Sequence, residues 1–430
     1  MPQLSVDDVR KDIPLTSQVI YFDNAATTPV PMPVLDAMMK FWVEYPVTVE
    51  RGAYRLAAHA SEVWDGARQK AAKLLLHCDP DEFIFTRNFT EGACMLAYGL
   101  EQPLVNRRGS GLAETAPVIE WRKGDNIVFS NLDHHSNMMP WMRLAYRVGA
   151  HVKPIEFNPL TGAVNVDAVV KAVDESTQLV ALQQVSNVTG VIHPVKAIVH
   201  EVKAKNPDCL VFVDGSQACG HMPVDVKDLG CDAYGFSGHK GPLGPHGSGG
   251  LYVKSEVLER MDPLEVGGGT IADVTEGDYA LRSDSLAKRW EAGTPSIACL
   301  IGLGRASEYV ANEVGLERIE AHEKRLVEQL LDGLRDLNDV EVYGTTEDMS
   351  IKTGLVSFNI KGWDCADVSI ALDSEFKPPI LTRAGHHCAI PAMRHLGVYE
   401  KYGGTVRMSF HFYNTGKEVE QSLHALEQLG

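Results

Sequence analysis

Short apolar runs that end in glycine or a small polar residue recur along the first two thirds of the chain. Runs of this length bounded by glycine are typical of buried strands. Helical periodicity lies between several of them, so strand, loop and helix follow one another repeatedly, which predicts an α/β fold with a mainly parallel sheet. The predicted strands lie at 19–22, 83–85, 126–129, 178–186, 210–213, 233–236 and 250–253.

The pattern changes after residue 295. A long helical stretch runs to residue 337 with Gly315 as its break, and strands then alternate with helices without the parallel repeat. This mixture predicts a smaller α+β domain. The expected division is an N-terminal segment at 1–20 that packs with the small domain, a large domain at 21–295 and a small C-terminal domain at 296–430.

Two segments of the larger part carry more specific expectations. Helical periodicity at 32–45 predicts a helix with Met38, Phe41 and Trp42 in the core. Residues 103–121 are instead rich in glycine and polar residues, and we expect a flexible insertion with no assigned chemistry.

Composition narrows the class of protein. The 430 residues carry a formal charge of −17, and their lysines and arginines form no long run, which argues against nucleic acid as a partner. No apolar stretch reaches the roughly 18 residues of a membrane span, and the N-terminus is polar and acidic, unlike a secretory signal. The eight cysteines form no CxxC pair. We expect reduced thiols in a cytoplasmic enzyme.

Two neighbouring strand ends carry the first candidate chemistry. Asp214 closes one apolar run, and Ser237, His239 and Lys240 close the next. Ligands of such sheets bind beyond the carboxyl ends of the strands, so these side chains are expected to face one pocket. A lysine nucleophile, a carboxylate for a ring nitrogen and two phosphate donors suit pyridoxal 5'-phosphate. The alternative is a surface lysine after a turn, which the joint pattern disfavours.

Other strand ends deliver further polar residues. Thr90 stands at a helix start, where it can cap the helix, hold an anion, or do both. The flat ring of His134 can stack on a flat cofactor, whereas adjacent His134 and His135 rarely share one metal ion. Asn24 lies in a loop of small residues and can donate to a carboxylate, although an ordinary turn explains it equally well.

A second constellation lies at 382–391. Cys388 follows Arg383, His386 and His387, and cationic neighbours favour the nucleophilic thiolate of a cysteine. Cys388 is therefore a candidate nucleophile. A buried structural cysteine and a metal site formed with the two histidines remain open alternatives.

Assembled, these motifs resemble the SUF-type (group II) cysteine desulfurases of the class V aminotransferase family, which are fold-type I pyridoxal-phosphate enzymes. The resemblance covers nearly the whole chain and implies a seven-stranded, mainly parallel sheet in the large domain. The motifs that carry it are YFDNAATTP at 21–29, TEG at 90–92, DHHSN at 133–137, SNVTG at 186–190, VDGSQ at 213–217, SGHK at 237–240, EAGTP at 291–295 and RAGHHCA at 383–389.

The resemblance implies a role for each matching residue and no metal. The resemblance implies that Cys388, Lys240 and His134 are the catalytic residues. The cofactor contacts are Lys240, Asp214, Gln217, His134, Thr90, Glu91, Gly92, Asn187, Ser237, His239 and, from the partner subunit of a homodimer, Thr294. The substrate contacts are Arg407, Arg383, Asn187 and Asn24.

The implied reaction converts L-cysteine to L-alanine and leaves a persulfide on Cys388, from which a protein acceptor collects sulfur for iron–sulfur cluster assembly. L-selenocysteine is a possible second substrate. A selenocysteine lyase or a β-eliminating desulfhydrase on the same scaffold is the enzymatic alternative, and a non-catalytic sulfur-assembly scaffold is the other. The chain departs from the pattern at 50–54 and 242–246, where partner contacts and substrate access are affected.

Overall fold

A central sheet of seven strands organises the computed structural model, which describes residues 3–109 and 111–429. Its strand order is β2-β10-β9-β8-β7-β5-β6; β5 to β9 run parallel, and β10 is antiparallel to both β2 and β9. The predicted mainly parallel sheet is confirmed. The strands are β1 Ile20–Tyr21, β2 Phe83–Thr86, β3 Val105–Arg108, β4 Gly111–Glu114, β5 Asn126–Ser130, β6 His151–Ile155, β7 Thr177–Gln183, β8 Leu210–Asp214, β9 Ala233–Ser237, β10 Gly249–Val253, β11 Ile271–Val274, β12 Tyr279–Leu281, β13 Val340–Tyr343, β14 Leu355–Ile360, β15 Ile380–Leu381, β16 Arg383–Gly385 and β17 Thr405–Ser409.

Helices cover both faces of this sheet, which explains why its inner strands are buried along nearly their whole length. Every residue of β9 and β10 is buried, for example. The helices are α1 Val6–Asp12, α2 Met32–Glu44, α3 Arg55–Leu75, α4 Phe89–Glu101, α5 Met139–Val148, α6 Val166–Ala172, α7 Val195–Lys205, α8 Val226–Leu229, α9 Ser255–Leu258, α10 Ile297–Glu308, α11 Leu316–Arg335, α12 Cys365–Ser374, α13 Ile390–His395, α14 Tyr399–Tyr402 and α15 Gly416–Leu429. No helix in the described part of the chain has both the length and the apolar character needed to cross a membrane.

The C-terminal part builds a second, antiparallel sheet in the order β13-β14-β17-β16. Its own apolar cluster joins residues of α11, α12 and α15 to β14 and β17. The N-terminal segment reaches this part, because β1 pairs with β15 and Arg10 binds Glu418 at 2.8 Å.

The link between the two parts runs through α10. Gly304 of this helix lies so close to α3 that a Cβ placed on it would stand 2.5 Å from Cα of Ala67. Residues 309–314 then form a short π-helix before Gly315, whose φ of 98° ends the helical stretch. The break at Gly315 is confirmed. The boundary at 295 stays a prediction, and α10 just beyond it packs on the larger part.

Two local expectations were wrong. Trp42 is 60% exposed while Phe41 is 3% exposed, because successive side chains on a helix point about 100° apart and Trp42 falls on the solvent side of α2. Within 103–121, β3 and β4 pair as a hairpin in place of an irregular insertion. Ser110 lies outside the described residues.

Candidate active site

A cavity lies at the carboxyl ends of β5, β7, β8 and β9, where the strand-end residues were expected to meet. The structure brings seven of the predicted site residues together on its wall. It is lined by Phe89, Thr90, His134, Ser136, Gln183, Val185, Asn187, Asp214, Ser216, Gln217, Ser237 and Lys240.

The acid and the amine of this cavity influence each other. The Asp214 carboxylate is buried and accepts a hydrogen bond from the Ser216 amide at 2.9 Å. Burial raises the pKa of Asp214, and the positive charge of Lys240 opposes that shift. Burial lowers the pKa of Lys240 to about 8, while attraction to Asp214 opposes the change and repulsion from Arg407 adds to it. A lysine with this pKa is partly neutral near pH 7 and therefore nucleophilic.

His134 stands on a turn that a buried carboxylate fixes. Asp133 is fully buried and accepts hydrogen bonds from the amides of Ser130 at 2.7 Å and Gln183 at 2.8 Å. In the turn that follows, His134 Nδ1 accepts the Ser136 amide at 3.1 Å, which places the ring proton on Nε2. Burial lowers the pKa of His134 to about 3. The ring is therefore neutral near pH 7, and its flat face can stack on a flat aromatic group.

Three hydroxyl groups also line the cavity, those of Thr90, Ser136 and Ser237. Thr90 Oγ1 lies 2.8 Å from Ser136 Oγ, and Ser237 Oγ accepts the Phe89 amide at 3.0 Å. The hydroxyl protons of such residues are free to turn toward a bound phosphate. The sequence did not identify Ser136 as a phosphate-site residue, because it lies 46 positions from Thr90 and only the fold brings the two hydroxyl groups together.

The predicted capping role of Thr90 belongs to Asn88. Asn88 Oδ1 accepts the Glu91 amide at 2.9 Å, so this amide is already engaged. The Glu91 carboxylate binds Arg87 Nε at 2.6 Å. Gly92 serves packing, because a Cβ on it would lie 3.3 Å from Leu251 Cβ of β10. The cofactor roles of Glu91 and Gly92 stay predictions.

Of three further predicted contact residues, Gln217 lines the cavity, and His239 and Asn24 lie outside its lining. The Gln217 amide donates to Ala25 O at 2.8 Å. His239 stands edge-on to His246, with ring centroids 5.4 Å apart, and burial lowers its pKa to about 4. The amide nitrogen of Asn24 donates to Ser409 O at 2.6 Å and its oxygen accepts the Tyr413 hydroxyl. These bonds connect the two parts of the chain and leave the substrate role of Asn24 a prediction.

Thr294 lies in a different, exposed pocket beside Thr86, Arg87 and Trp290. The segment that carries Thr294 is fixed by Glu291, which forms a fork with buried Arg68, both N–O distances being 2.6 Å. Thr294 therefore faces outward from its own chain. Its predicted contact is with the cofactor of a second copy.

Arg407 provides the buried cation near this cavity. It lies on β17, is 3% exposed and donates from Nη1 to Asn187 O at 2.8 Å. Its Nη2 stands 3.6 Å from Asp23 Oδ1, and its Nε has no partner among the described residues. Burial lowers the pKa of Arg407 to about 10, so it keeps its charge at neutral pH. Arg383 faces it across the β16–β17 pair but is exposed.

The Cys388 loop is tied to the wall of the cavity. The His135 amide donates to Cys388 O at 2.7 Å, and His135 Nε2 accepts the Ile390 amide at 3.1 Å. Asn187 Nδ2 donates to His387 O at 2.8 Å. His387 and Cys388 both have positive φ, 49° and 54°, a conformation that costs energy in residues with side chains. These bonds hold a partly exposed free thiol beside the cavity.

Two metal sites were considered from the sequence, one at His134 and His135 and one at His386, His387 and Cys388. Among the described residues, the fold brings no further metal ligands to either of them. Within residues 3–109 and 111–429, the side chains whose ligand atoms lie close enough to share one ion are His221, Glu323 and His411. This group lies apart from both His134–His135 and the 386–388 segment.

The cavity fits pyridoxal phosphate on a structural test. Asn187 Oδ1 and Ser216 Oγ are buried on its wall and have no hydrogen-bond partner among the described residues. A polar group bound between Asp214 and Lys240 satisfies such atoms, whose unpaired burial is otherwise costly.

Comparison with known proteins agrees with this site. The family model for aminotransferase class-V matches residues 20–421, and the chain belongs to this family. A probable cysteine desulfurase of Methanothermobacter thermautotrophicus is 39% identical over 99% of this chain and 98% of its own. A probable cysteine desulfurase of Pyrococcus abyssi is 40% identical over 98% of this chain and 97% of its own. The apo structure of a cysteine desulfurase from Thermococcus onnurineus NA1 superposes with a TM-score of 0.90 at 38% identity, covering 100% of this chain and 99% of that one.

These relatives confirm the predicted fold class, the pyridoxal-phosphate cofactor and an enzyme of the cysteine desulfurase type. The SUF-type branch, the homodimer and the role of each site residue stay predictions.

Proposed function

We propose that this chain converts L-cysteine to L-alanine and receives the sulfur as a persulfide on Cys388. The observation that carries the proposal is the attachment of the Cys388 loop to the cavity wall through His135 and Asn187. A structural cysteine needs no such placement beside a lysine and an aspartate at strand ends.

Bound pyridoxal phosphate supplies an electron sink that makes the α-proton of the substrate acidic. Lys240 would hold its aldehyde and Asp214 its ring nitrogen, with His134 against the ring. Its phosphate would meet the hydroxyl groups of Thr90, Ser136 and Ser237.

Arg407 is suited to the substrate carboxylate. Its planar guanidinium offers several N–H donors, and bidentate pairing with a carboxylate fixes orientation as well as adding affinity. Asp23 and Asn187 O already hold two edges of the group, so the substrate would meet an arginine that is oriented in advance. Arg383 adds positive charge from the exposed neighbouring strand.

Lys240 and Cys388 divide the chemical work. The neutral Lys240 amine takes the α-proton at Nζ, and a proton is returned to the carbon that loses sulfur. The Cys388 thiolate attacks the substrate sulfur, so one Cβ–S bond breaks and one S–S bond forms. L-cysteine and a thiol thus give L-alanine and a persulfide, and the reaction balances without an outside oxidant.

A homodimer and a protein sulfur acceptor complete the proposal. The outward position of Thr294 supports the dimer, since a residue outside its own Lys240 cavity can serve the cavity of a second copy. The partial exposure of Cys388 supports transfer to a protein that supplies iron–sulfur cluster assembly. We place this activity in the cytoplasm, with L-selenocysteine as a possible second substrate.

The test measures alanine, sulfide and pyruvate from L-cysteine and a thiol reductant. The wild type should form alanine and sulfide in equal amounts. Cys388→Ser should lower alanine formation by roughly 10³-fold, as loss of a nucleophile does, while the visible absorbance of the cofactor stays. Cys94→Ser, at another exposed cysteine, is the matched control and should keep full activity. Pyruvate in place of alanine, or an active Cys388→Ser, would overturn the proposal.

A further inference from the structure

A buried cluster of His221, Glu323 and His411, here called the His–Glu–His cluster, lies behind the Lys240 loop. His221 follows the turn after β8, Glu323 lies on α11 and His411 follows β17. Their exposed fractions are 4%, 0% and 0%. The cluster therefore joins three separate parts of the chain, and it belongs to none of the predicted motifs.

His411 is connected directly to the segment that carries Lys240. His411 Nδ1 accepts the Phe412 amide at 2.8 Å, so the ring proton is on Nε2. His411 Nε2 then donates to Gly241 O at 2.9 Å. Gly241 directly follows Lys240, so this bond fixes the peptide group beyond the reactive lysine.

His221 packs against Gly241 from another side. A Cβ on Gly241 would stand 2.5 Å from Cδ2 of His221 and 2.3 Å from Cys219 O. His221 Nδ1 in turn lies 2.8 Å from Glu323 Oε1. Glu323 on α11 thus supports the histidine that packs on the Lys240 segment.

Neighbouring carbonyls of this segment are held in the same way. Thr28 donates from its amide to His239 O at 2.9 Å and from Oγ1 to Lys240 O at 2.8 Å. Together with the His411 bond, three consecutive carbonyls, those of residues 239 to 241, are each bound by a residue from another part of the chain. Such support sets the direction from which the Lys240 side chain enters the cavity.

The chemistry of the cluster favours positioning over metal binding. Both ring nitrogens of His411 are occupied, by the Phe412 amide and by Gly241 O, so an ion would have to break one of these bonds. Burial raises the pKa of Glu323 far above its usual range and lowers the pKa of His221 and of His411 to about 4. Burial thus disfavours a charge on each of these three groups behind Lys240.

We propose that His411, supported by the His221–Glu323 pair, is a positioning residue for Lys240. It acts through the Gly241 peptide and touches neither substrate nor cofactor. The inference rests on the proposed function only in that Lys240 is the lysine that holds the cofactor.

The test compares His411→Phe, which keeps a flat ring and loses the donor, with His411→Gln, which keeps a donor near Nε2. Purified holoenzymes are compared by the rate of cofactor loss on dialysis and by the pH at which the cofactor's visible absorbance changes. The titratable and charged groups that act on Lys240 are unchanged in these variants, namely Asp214, Arg407, Cys388, Asp23, His134, His221 and His239. His411→Phe should lose cofactor roughly five- to tenfold faster, the effect of one lost hydrogen bond, and should shift the absorbance midpoint, whereas His411→Gln should restore most of both.

His322→Phe is the matched control, because His322 is also buried and bonded to a carbonyl, that of Asn414, at 2.8 Å. It should lower stability without changing either cofactor property. Equal cofactor properties in the two Phe variants would overturn the inference. If His411→Phe does not fold, Glu323→Gln should shift the same properties in the same direction, and no shift would contradict the proposal.

Metal analysis of the wild type distinguishes a positioning role of the cluster from a metal site. Stoichiometric zinc that disappears in Glu323→Gln would overturn the positioning role in favour of a metal site. Alanine is measured on the same preparations. Since cofactor loss and absorbance do not depend on sulfur chemistry, an enzyme that fails to form alanine can still show the His411 effect, and the two proposals fail separately.

Discussion

The segments that carry Lys240 and Cys388 lie beside the same cavity but are built in opposite ways. Lys240 follows a fully buried strand of the central sheet, and the carbonyls around it are bound from outside the segment. Cys388 lies in a partly exposed loop with positive φ, held by His135 and Asn187. One segment is fixed by packing, and the other is strained and attached at its edges.

This difference matches what each side chain has to do. A lysine that holds a cofactor and moves protons works best in one fixed geometry. A thiol that takes sulfur inside the cavity and passes it to a protein must meet both the cavity and the solvent. We therefore expect substitutions on the two sides to change different measurements.

Arg407 carries a buried charge that acts on both Lys240 and Cys388, and its loss should have the largest effect of the substitutions that follow. Arg407→Ala removes the hydrogen bond to Asn187 O and the ion pair with Asp23, and it leaves the Asp23 carboxylate without its partner. We expect kcat/KM for L-cysteine to fall roughly 10²- to 10³-fold and stability to fall by about 3 kcal/mol. Steady-state kinetics and thermal unfolding measure both quantities. Arg407→Lys should give an intermediate KM, because it keeps the charge and loses the fork.

Arg289→Ala is the control for burial, since Arg289 is 7% exposed and bonds to Arg282 O away from the cavity. It should lower stability and leave KM unchanged. An unchanged KM in Arg407→Ala would remove the carboxylate role of this residue.

The pH dependence of cofactor loading tests the Lys240 side alone. Burial lowers the pKa of Lys240 from 10.5 to about 8, and only the neutral amine can attack an aldehyde. Loading of the apo-protein should therefore become faster by roughly 50-fold between pH 6 and pH 8 and level off above pH 8. Stopped-flow absorbance gives the rate, with Nα-acetyl-lysine as the control amine. A rate that keeps rising to pH 10 would show a lysine with an ordinary pKa.

The Lys240 side was predictable from sequence because its signals are local. Asp214 and Lys240 each follow an apolar run that ends in glycine-containing segments, and parallel strands bring their carboxyl ends to one edge. The supporting residues were not predictable from the same pattern. Asp133, Ser136 and His411 act through partners that are distant in sequence, and only the fold shows which amide or carbonyl each one meets.

The Cys388 side depended on the resemblance rather than on periodicity. Cationic neighbours marked Cys388 as reactive, but the residues alone left a structural cysteine and a metal site open. The loop is held by hydrogen bonds from His135 and Asn187, and each of these residues lies 200 or more positions from its partner in the loop. Trp42 shows that periodicity alone does not decide burial, because an apolar residue on a periodic helix can still face solvent.

His135 gives the smallest and most selective test of the Cys388 side. His135→Phe keeps the main-chain bond to Cys388 O and removes the Nε2 acceptor of the Ile390 amide. Because one hydrogen bond that holds the loop is lost, alanine formation should fall roughly five- to tenfold, while cofactor absorbance and retention stay unchanged. The matched control is His395→Phe, whose Nε2 contacts Phe157 O at 3.0 Å away from the cavity, and it should keep full activity. If His135→Phe released the cofactor as well, the two segments would form one unit and the contrast between them would be lost.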